Sequence, residues 1–206
     1  MRYTDVAWDF DGTLADSYPN SVRALGEVLR SFGFEESDED LRAQLIVTSR
    51  HAMRYYGEKY GLDPEELRIL YLEKAGFHPE LVIPFPGIRE VLKEIKESGR
   101  RNHLYTNRNR LAVRYLDALG LLPYFDGLIT GEEMAEFKPH PDGMYKLLEQ
   151  YQVEPSKMLM VGDRALDLEA SKAAGGDGCF YNTNGTSVPD CADFVVEDIR
   201  DLMKYL

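Results

Sequence analysis

Apolar and polar residues follow two different rhythms along the chain. Between about residue 17 and residue 84 the rhythm is helical: Val22, Leu25, Val28, Leu29 and Phe32 recur at the spacing of one helix face, and Gly33 closes the run. Acidic Glu35 to Asp40 reads as a solvated loop leading to the next helix. Val47-Thr48-Ser49-Arg50-His51 reads as another helix start. Asp63 and Pro64 have the chemistry of an N-cap and a first helical position. No convincing strand falls in this stretch, which reads as an all-helical insertion.

Outside it, short apolar runs alternate with helical ones. Val6-Ala7-Trp8 predicts a buried strand before a turn at Gly12. After the punctuation Pro84-Phe85-Pro86-Gly87, the pattern predicts helices over 88–98, 109–119, 142–151, 166–174 and 198–206. Strands are predicted over 102–106, 127–130, 157–161, 179–181 and 194–196. Such alternation implies parallel crossovers and a sheet covered on both faces. The expected class is α/β: a Rossmann-like parallel sheet core built from residues 1–16 and 85–206, with a helical insertion over 17–84.

Composition narrows the options. The chain has 206 residues, 44% of them apolar, and a net charge of −12. So acidic a surface repels a phosphate backbone, which argues against nucleic-acid binding. A small phosphorylated metabolite is compatible, because a local cationic site outweighs the global field at short range. Cys179 and Cys191 are too few and too far apart for a zinc site or a disulfide framework, and read as reduced thiols. No signal-peptide run opens the sequence, and no apolar stretch approaches the ~18 residues of a membrane span. The expected location is cytoplasmic, with no membrane partner. The oligomeric state is not legible.

In an open parallel sheet, ligands bind beyond the carboxyl ends of the strands. The first predicted strand runs into Asp9 and Asp11, and the second into Thr106 and Asn107. The strand over 157–161 runs into Gly162-Asp163, with Asp167 four residues on, and Lys138 precedes a helix in Phe137-Lys138-Pro139-His140-Pro141. Each piece alone has a plain structural reading: Asp-Gly is a common turn pair, Thr-Asn caps helices, and lysines usually lie on the surface. Together they deliver carboxylates, a hydroxyl and an ammonium to one sheet edge. Clustered carboxylates need a cation, and an all-oxygen donor set suits a hard ion such as Mg²⁺. Carboxylate, hard metal, lysine and hydroxyl form a set suited to phosphoryl transfer, where most of the catalysis is electrostatic.

The same residues carry a resemblance. Asp9-Phe10-Asp11-Gly12-Thr13-Leu14, His103-Leu104-Tyr105-Thr106, Lys138-Pro139-His140-Pro141 and Gly162-Asp163-Arg164-Ala165-Leu166-Asp167 resemble, in order and spacing, the four motifs of the haloacid dehalogenase-like hydrolases. The likeness is to the branch of phosphoglycolate phosphatases and β-phosphoglucomutases. It implies a Mg²⁺-dependent phosphatase of small phosphate monoesters, working through an aspartyl-phosphate on Asp9. Asp11 is then the general acid and base. Thr106, Asn107 and Lys138 bind the phosphoryl group. Asp9, the Asp11 carbonyl and Asp163 hold the metal, with Asp167 in support. The helical insertion then resembles a cap, in which Arg50 is the candidate substrate contact, and Arg108 is a further residue to watch.

Rival readings stay in view. A phosphomutase passes the phosphoryl group to a sugar phosphate instead of water. A haloacid dehalogenase lacks the second aspartate, so Asp11 argues against that chemistry. A phospho-receiver domain or a non-catalytic binding protein would show no turnover. The early Asp9 and the large helical insertion argue against a receiver.

Overall fold

A computed structural model describes residues 2–206. The chain divides into two compact units, Met1–Asp16 with Pro84–Leu206, and Ser17–Ile83. In chain order the elements begin with β1 (Asp5–Trp8) and β2 (Ala15–Asp16). Four helices follow: α1 (Tyr18–Ser31), α2 (Asp38–Val47), α3 (Ser49–Tyr60) and α4 (Pro64–Ala75). After β3 (Ile83–Pro84) come α5 (Ile88–Glu97), β4 (Arg101–Tyr105), α6 (Leu111–Ala118), β5 (Phe125–Ile129) and α7 (Asp142–Tyr151). The chain then forms β6 (Met158–Gly162), α8 (Ala165–Ala173), β7 (Asp177–Tyr181) and β8 (Phe194–Val196).

The larger unit is a six-stranded sheet in the order β5-β4-β1-β6-β7-β8. All of its pairings are parallel. The chain moves outward from β1 through β4 to β5, then crosses back to place β6 on the other side of β1. That reversal is the switch point where an open α/β sheet leaves a crevice at its carboxyl edge. The three strand ends that flank it belong to β4, β1 and β6.

Register divides the core between two faces. Ala7, Tyr105, Met158 and Met160 pack with Met144, Leu147 and Leu148 of α7 and Ala170 of α8. The alternate positions carry Trp8, paired in register with Leu104, and Val6, paired with Asn102. Trp8 Nε1 donates to Asn102 Oδ1 at 3.0 Å, and Asn102 Nδ2 donates to the Leu92 carbonyl of α5 at 3.0 Å. A buried asparagine thus satisfies the indole N–H and ties α5 to the sheet, as a dry interior requires.

The insertion is helical, as its periodicity predicts. Val22, Leu25, Val28 and Leu29 join Leu41, Met53, Tyr56 and Leu67 in a core of its own. The starts of α2, α3 and α4 are capped: Ser37 accepts from Asp40 N at 3.1 Å, Thr48 from His51 N at 2.9 Å, and Asp63 from Glu65 N at 2.9 Å.

Three local readings of the sequence need correction. The final segment is a 3-10 helix, Ile199–Lys204, not an α-helix. Its two buried residues, Ile199 and Leu202, stand three apart, a spacing that suits the tighter helix. The stretch from Glu35 to Asp40 is not wholly a solvated loop. Asp38, Glu39 and Asp40 form the first turn of α2, and the Glu36 carboxylate, 8% exposed, accepts from Lys59 and Tyr60. The two-residue strands β2 and β3 carried no periodicity to read. Near them, Phe85 N–H donates to the Leu14 carbonyl at 3.2 Å.

Leu104 lies on β4 with no exposed surface. Leu104→Ala should therefore destabilise the protein by about 2–5 kcal/mol, the range for a cavity left in a well-packed core. A lowered urea midpoint with an unchanged slope is the expected readout.

Candidate active site

β1 stops at Trp8, and the next residue, Asp9, continues the ladder by donating its N–H to the Val161 carbonyl at 3.0 Å. The chain then folds tightly back on Phe10, whose carbonyl accepts from Leu14 N at 3.1 Å and Ala15 N at 3.2 Å. Gly12 has φ +81°, and a Cβ there would overlap the Asp163 carboxylate. Only glycine serves both demands. At the end of β6, a Cβ on Gly162 would likewise overlap Asp167, so Gly162 makes room for that carboxylate.

The side chains of Asp9, Asp163, Asp167 and Lys138 are wholly buried. Lys138 Nζ lies 2.7 Å from Asp9 Oδ1, 2.5 Å from Asp167 Oδ1 and 3.0 Å from the Tyr105 carbonyl. Three acceptors meet the three protons of the ammonium. Thr13 Oγ1 donates to Asp163 Oδ1 at 3.1 Å, and Asn184 Nδ2 donates to Asp163 Oδ2 at 3.1 Å. Arg164 approaches from the other side, with Nη2 3.2 Å from Asp9 Oδ2 and Nε 4.0 Å from Asp163 and Asp167.

Burial dominates the electrostatics. It pushes the Asp163 carboxyl up to about 8, with Asp167 and Asp9 adding to the rise against the pull of Arg164. Burial and the charge of Asp9 raise Asp167 as well, against Lys138. For Lys138 burial alone would favour the neutral amine, but the carboxylates of Asp167 and Asp9 outweigh it and hold the ammonium charged.

The other predicted residues take distinct places. Thr106 follows β4, buried, and its Oγ1 accepts from Arg108 N at 3.2 Å. The Asn107 side chain engages the Lys138 backbone in both directions, accepting from its N–H at 2.9 Å and donating to its carbonyl at 3.3 Å. That geometry makes Asn107 a positioning residue for Lys138. The Asp11 carboxylate is engaged by Arg108. Arg50 stands exposed on α3 of the helical unit, at a pocket lined also by Met53, Asp63, Pro64, Glu65 and Arg68.

Residues 6–180 match the family of haloacid dehalogenase-like hydrolases. The chain belongs to that family. Among curated relatives it is 31% identical to a phosphoglycolate phosphatase of Aquifex aeolicus, over 98% of this chain and 95% of the relative. It is 30% identical to phosphoglycolate phosphatase 1 of Pseudomonas aeruginosa, over 96% of this chain and 78% of the relative. A crystal structure from Haemophilus somnus, described as a predicted phosphoglycolate phosphatase, superposes with a TM-score of 0.87 at 21% identity. That match covers 100% of this chain and 98% of the other, and bears on the fold alone. A Thermotoga maritima protein with the provisional name β-phosphoglucomutase gives 0.79 at 26% identity, covering 98% and 99%. The chain is an enzyme of the phosphatase class.

In this hydrolase, Asp9, Asp163 and Asp167 each offer a carboxylate oxygen, all within 4.8 Å of one another. The fit to a hard divalent ion rests on the donors and on their charge. When all three buried carboxylates are ionised they outnumber the cations beside them, Lys138 and Arg164, by one negative charge. Its all-oxygen donor set suits Mg²⁺. The Asp11 side chain is outside this group. Sequence reading gave no role to Thr13, Arg164, Thr183 or Asn184. Asn184 and Thr183 follow β7, and Thr183 Oγ1 donates to the Gly12 carbonyl at 2.7 Å. Extending the strand-end rule to β7 would have found them. Among the described residues, no helix is long and apolar enough to cross a membrane.

Asp163 makes stability depend on pH in the metal-free protein. Its native value of about 8 stands above the ordinary 3.8, so the folded state keeps a proton that the unfolded chain has released. Stability is then fully present below about 4 and declines as pH rises towards 8. Without metal, Tm should fall from pH 5 to pH 8, and Mg²⁺ should restore roughly 5 °C at the alkaline end. Asp163→Asn should flatten the slope and abolish the gain from Mg²⁺. A metal-free Tm indifferent to pH would contradict the assignment.

Proposed function

We propose that this enzyme hydrolyses small organic phosphate monoesters in two steps through an aspartyl-phosphate on Asp9. The observation that carries the proposal is the buried convergence of Asp9, Lys138, Asp163 and Asp167 at the switch point of the sheet. In the first step a carboxylate oxygen of Asp9 attacks phosphorus and the bond to the ester oxygen breaks. Asp11 gives that oxygen its proton, and the alcohol leaves. In the second step water attacks the same phosphorus, Asp11 takes its proton, and the bond to Asp9 breaks to release inorganic phosphate.

Lys138 and Arg164 fix the two oxygens of Asp9, so the nucleophile is oriented before substrate arrives. Thr106 and nearby backbone N–H groups would hold phosphoryl oxygens. Mg²⁺, held by Asp9, Asp163 and the Asp11 carbonyl with Asp167 in support, would offset the charge between carboxylate and phosphate. The helical unit would serve as a cap that excludes water, with Arg50 a contact for the substrate.

Phosphoglycolate is the first substrate to test, since it names the activity of relatives at 30 and 31% identity. A small metabolite also suits the net charge of −12 better than a nucleic acid does. A cytoplasmic location is part of the proposal. The phosphomutase reading is favoured by one observation, the likeness to the Thermotoga protein.

A panel of phosphorylated metabolites assayed with Mg²⁺ decides between them. Phosphate release from 2-phosphoglycolate is expected, lost by at least ~1,000-fold in Asp9→Asn and on removal of the metal. Isomerisation of a sugar phosphate without net phosphate release would select the mutase instead. No turnover of any phosphate ester would leave a binding or receiver protein.

A further inference from the structure

Arg108 has a place in the site that the family motifs do not require. It follows Thr106 and Asn107 at the end of β4. Its backbone is held at both ends: N–H donates to Thr106 Oγ1 at 3.2 Å, and the carbonyl accepts from Gly131 N at 2.8 Å. The guanidinium lies 5.9 Å from the centre of the Phe10 ring and 5.6 Å from that of Tyr115. Only 16% of the side chain is exposed. Against this aromatic backing the planar fork meets the Asp11 carboxylate. Nε is 2.9 Å from both Oδ1 and Oδ2, and Nη2 is 2.7 Å from Oδ1. A backed, two-pronged guanidinium is a carboxylate receptor in geometry as well as charge.

The contact engages both oxygens of Asp11. In the proposed reaction one of them must turn to the leaving oxygen, so this pairing has to loosen during turnover. A carboxylate on the substrate can take the same fork as Asp11 turns away, exchanging one charge-assisted pair for another of the same kind. A neutral substrate offers no such exchange and must break the pair outright.

We propose that Arg108 is a specificity residue that receives a carboxylate of the substrate in exchange for Asp11. The preferred substrates are then phosphate monoesters of short hydroxy acids. This inference rests on the phosphatase reading above and names its substrate class. It also links recognition to catalysis, because the group that binds Arg108 is the group that releases the general acid.

The test compares 2-phosphoglycolate with 2-hydroxyethyl phosphate, a matched ester with an alcohol in place of the carboxylate. Both are assayed with Mg²⁺ in the wild type, Arg108→Met and Arg108→Lys, with thermal unfolding to confirm that each variant is folded. The wild type should prefer the acid by about 100-fold in kcat/KM. Arg108→Met should lose that preference, its kcat/KM falling about 100-fold further on the acid than on the alcohol. Arg108→Lys, which keeps the charge but not the fork, should fall between them. An equal loss on both esters in Arg108→Met, or an undiminished preference for the acid, would overturn the inference and leave the phosphatase reading standing. A wild type that hydrolyses neither ester would also overturn the inference, while the phosphatase reading falls only if no phosphate ester in the wider panel is turned over.

Discussion

The ammonium group of Lys138, sealed between Asp9 and Asp167, is the contact on which the catalytic edge of the sheet depends. Its three acceptors come from three places: the residue after β1, the last residue of β4, and the first turn of α8. Breaking a buried pair of this kind typically costs about 3–5 kcal/mol, because a charge is left without a partner. The surrounding chain is arranged to avoid that. Asn107 grips the Lys138 backbone from both sides, and Gly162 leaves the space that Asp167 occupies. Asp9, Lys138 and Asp167 are thus positioned by one interaction.

The cluster is nonetheless unbalanced. When all three carboxylates are ionised, Lys138 and Arg164 leave one carboxylate's worth of charge unmatched, and the strain falls on Asp163, where burial and its neighbours push the carboxyl far above its ordinary value. Thr13 and Asn184 orient that carboxylate without neutralising it. The arrangement is one that a divalent cation would relieve. A cluster prepared for a metal is less stable without it, a common exchange between stability and function.

The two units follow different rules. The insertion is held by an apolar helical core and capped helix ends, and its charged residues are mostly on its surface. The sheet unit in addition buries charge at its strand ends, in Asp9, Lys138, Asp163 and Asp167. Arg108 extends that pattern beyond the four motifs. Its aromatic support and its grip on Asp11 come from the β1 and β4 loops and from α6, which the sheet topology brings side by side.

Much of this was legible in the sequence. Short apolar runs and helical patterning located the strands and helices, because a strand covered on both faces and a helix buried on one leave patterns that local residues must obey. The Asp9, Thr106, Lys138 and Asp163 segments could be found because ligands gather where parallel strands end. The three-residue spacing of Ile199 and Leu202 fits an α-helix as well as a 3-10 helix, and the ion pairing of Glu36 depends on Lys59 and Tyr60, 23 and 24 positions away. The same holds within the site. By itself the sequence determined which chemical groups reach the sheet edge. Only the tertiary structure decided how they are shared: Lys138 between two carboxylates, Asn107 on the lysine backbone, Asn184 on Asp163, Arg108 on Asp11. Charge and hydrogen bonding act across space between residues far apart in the chain, 155 positions for Arg164 and Asp9, and no local pattern records that distance.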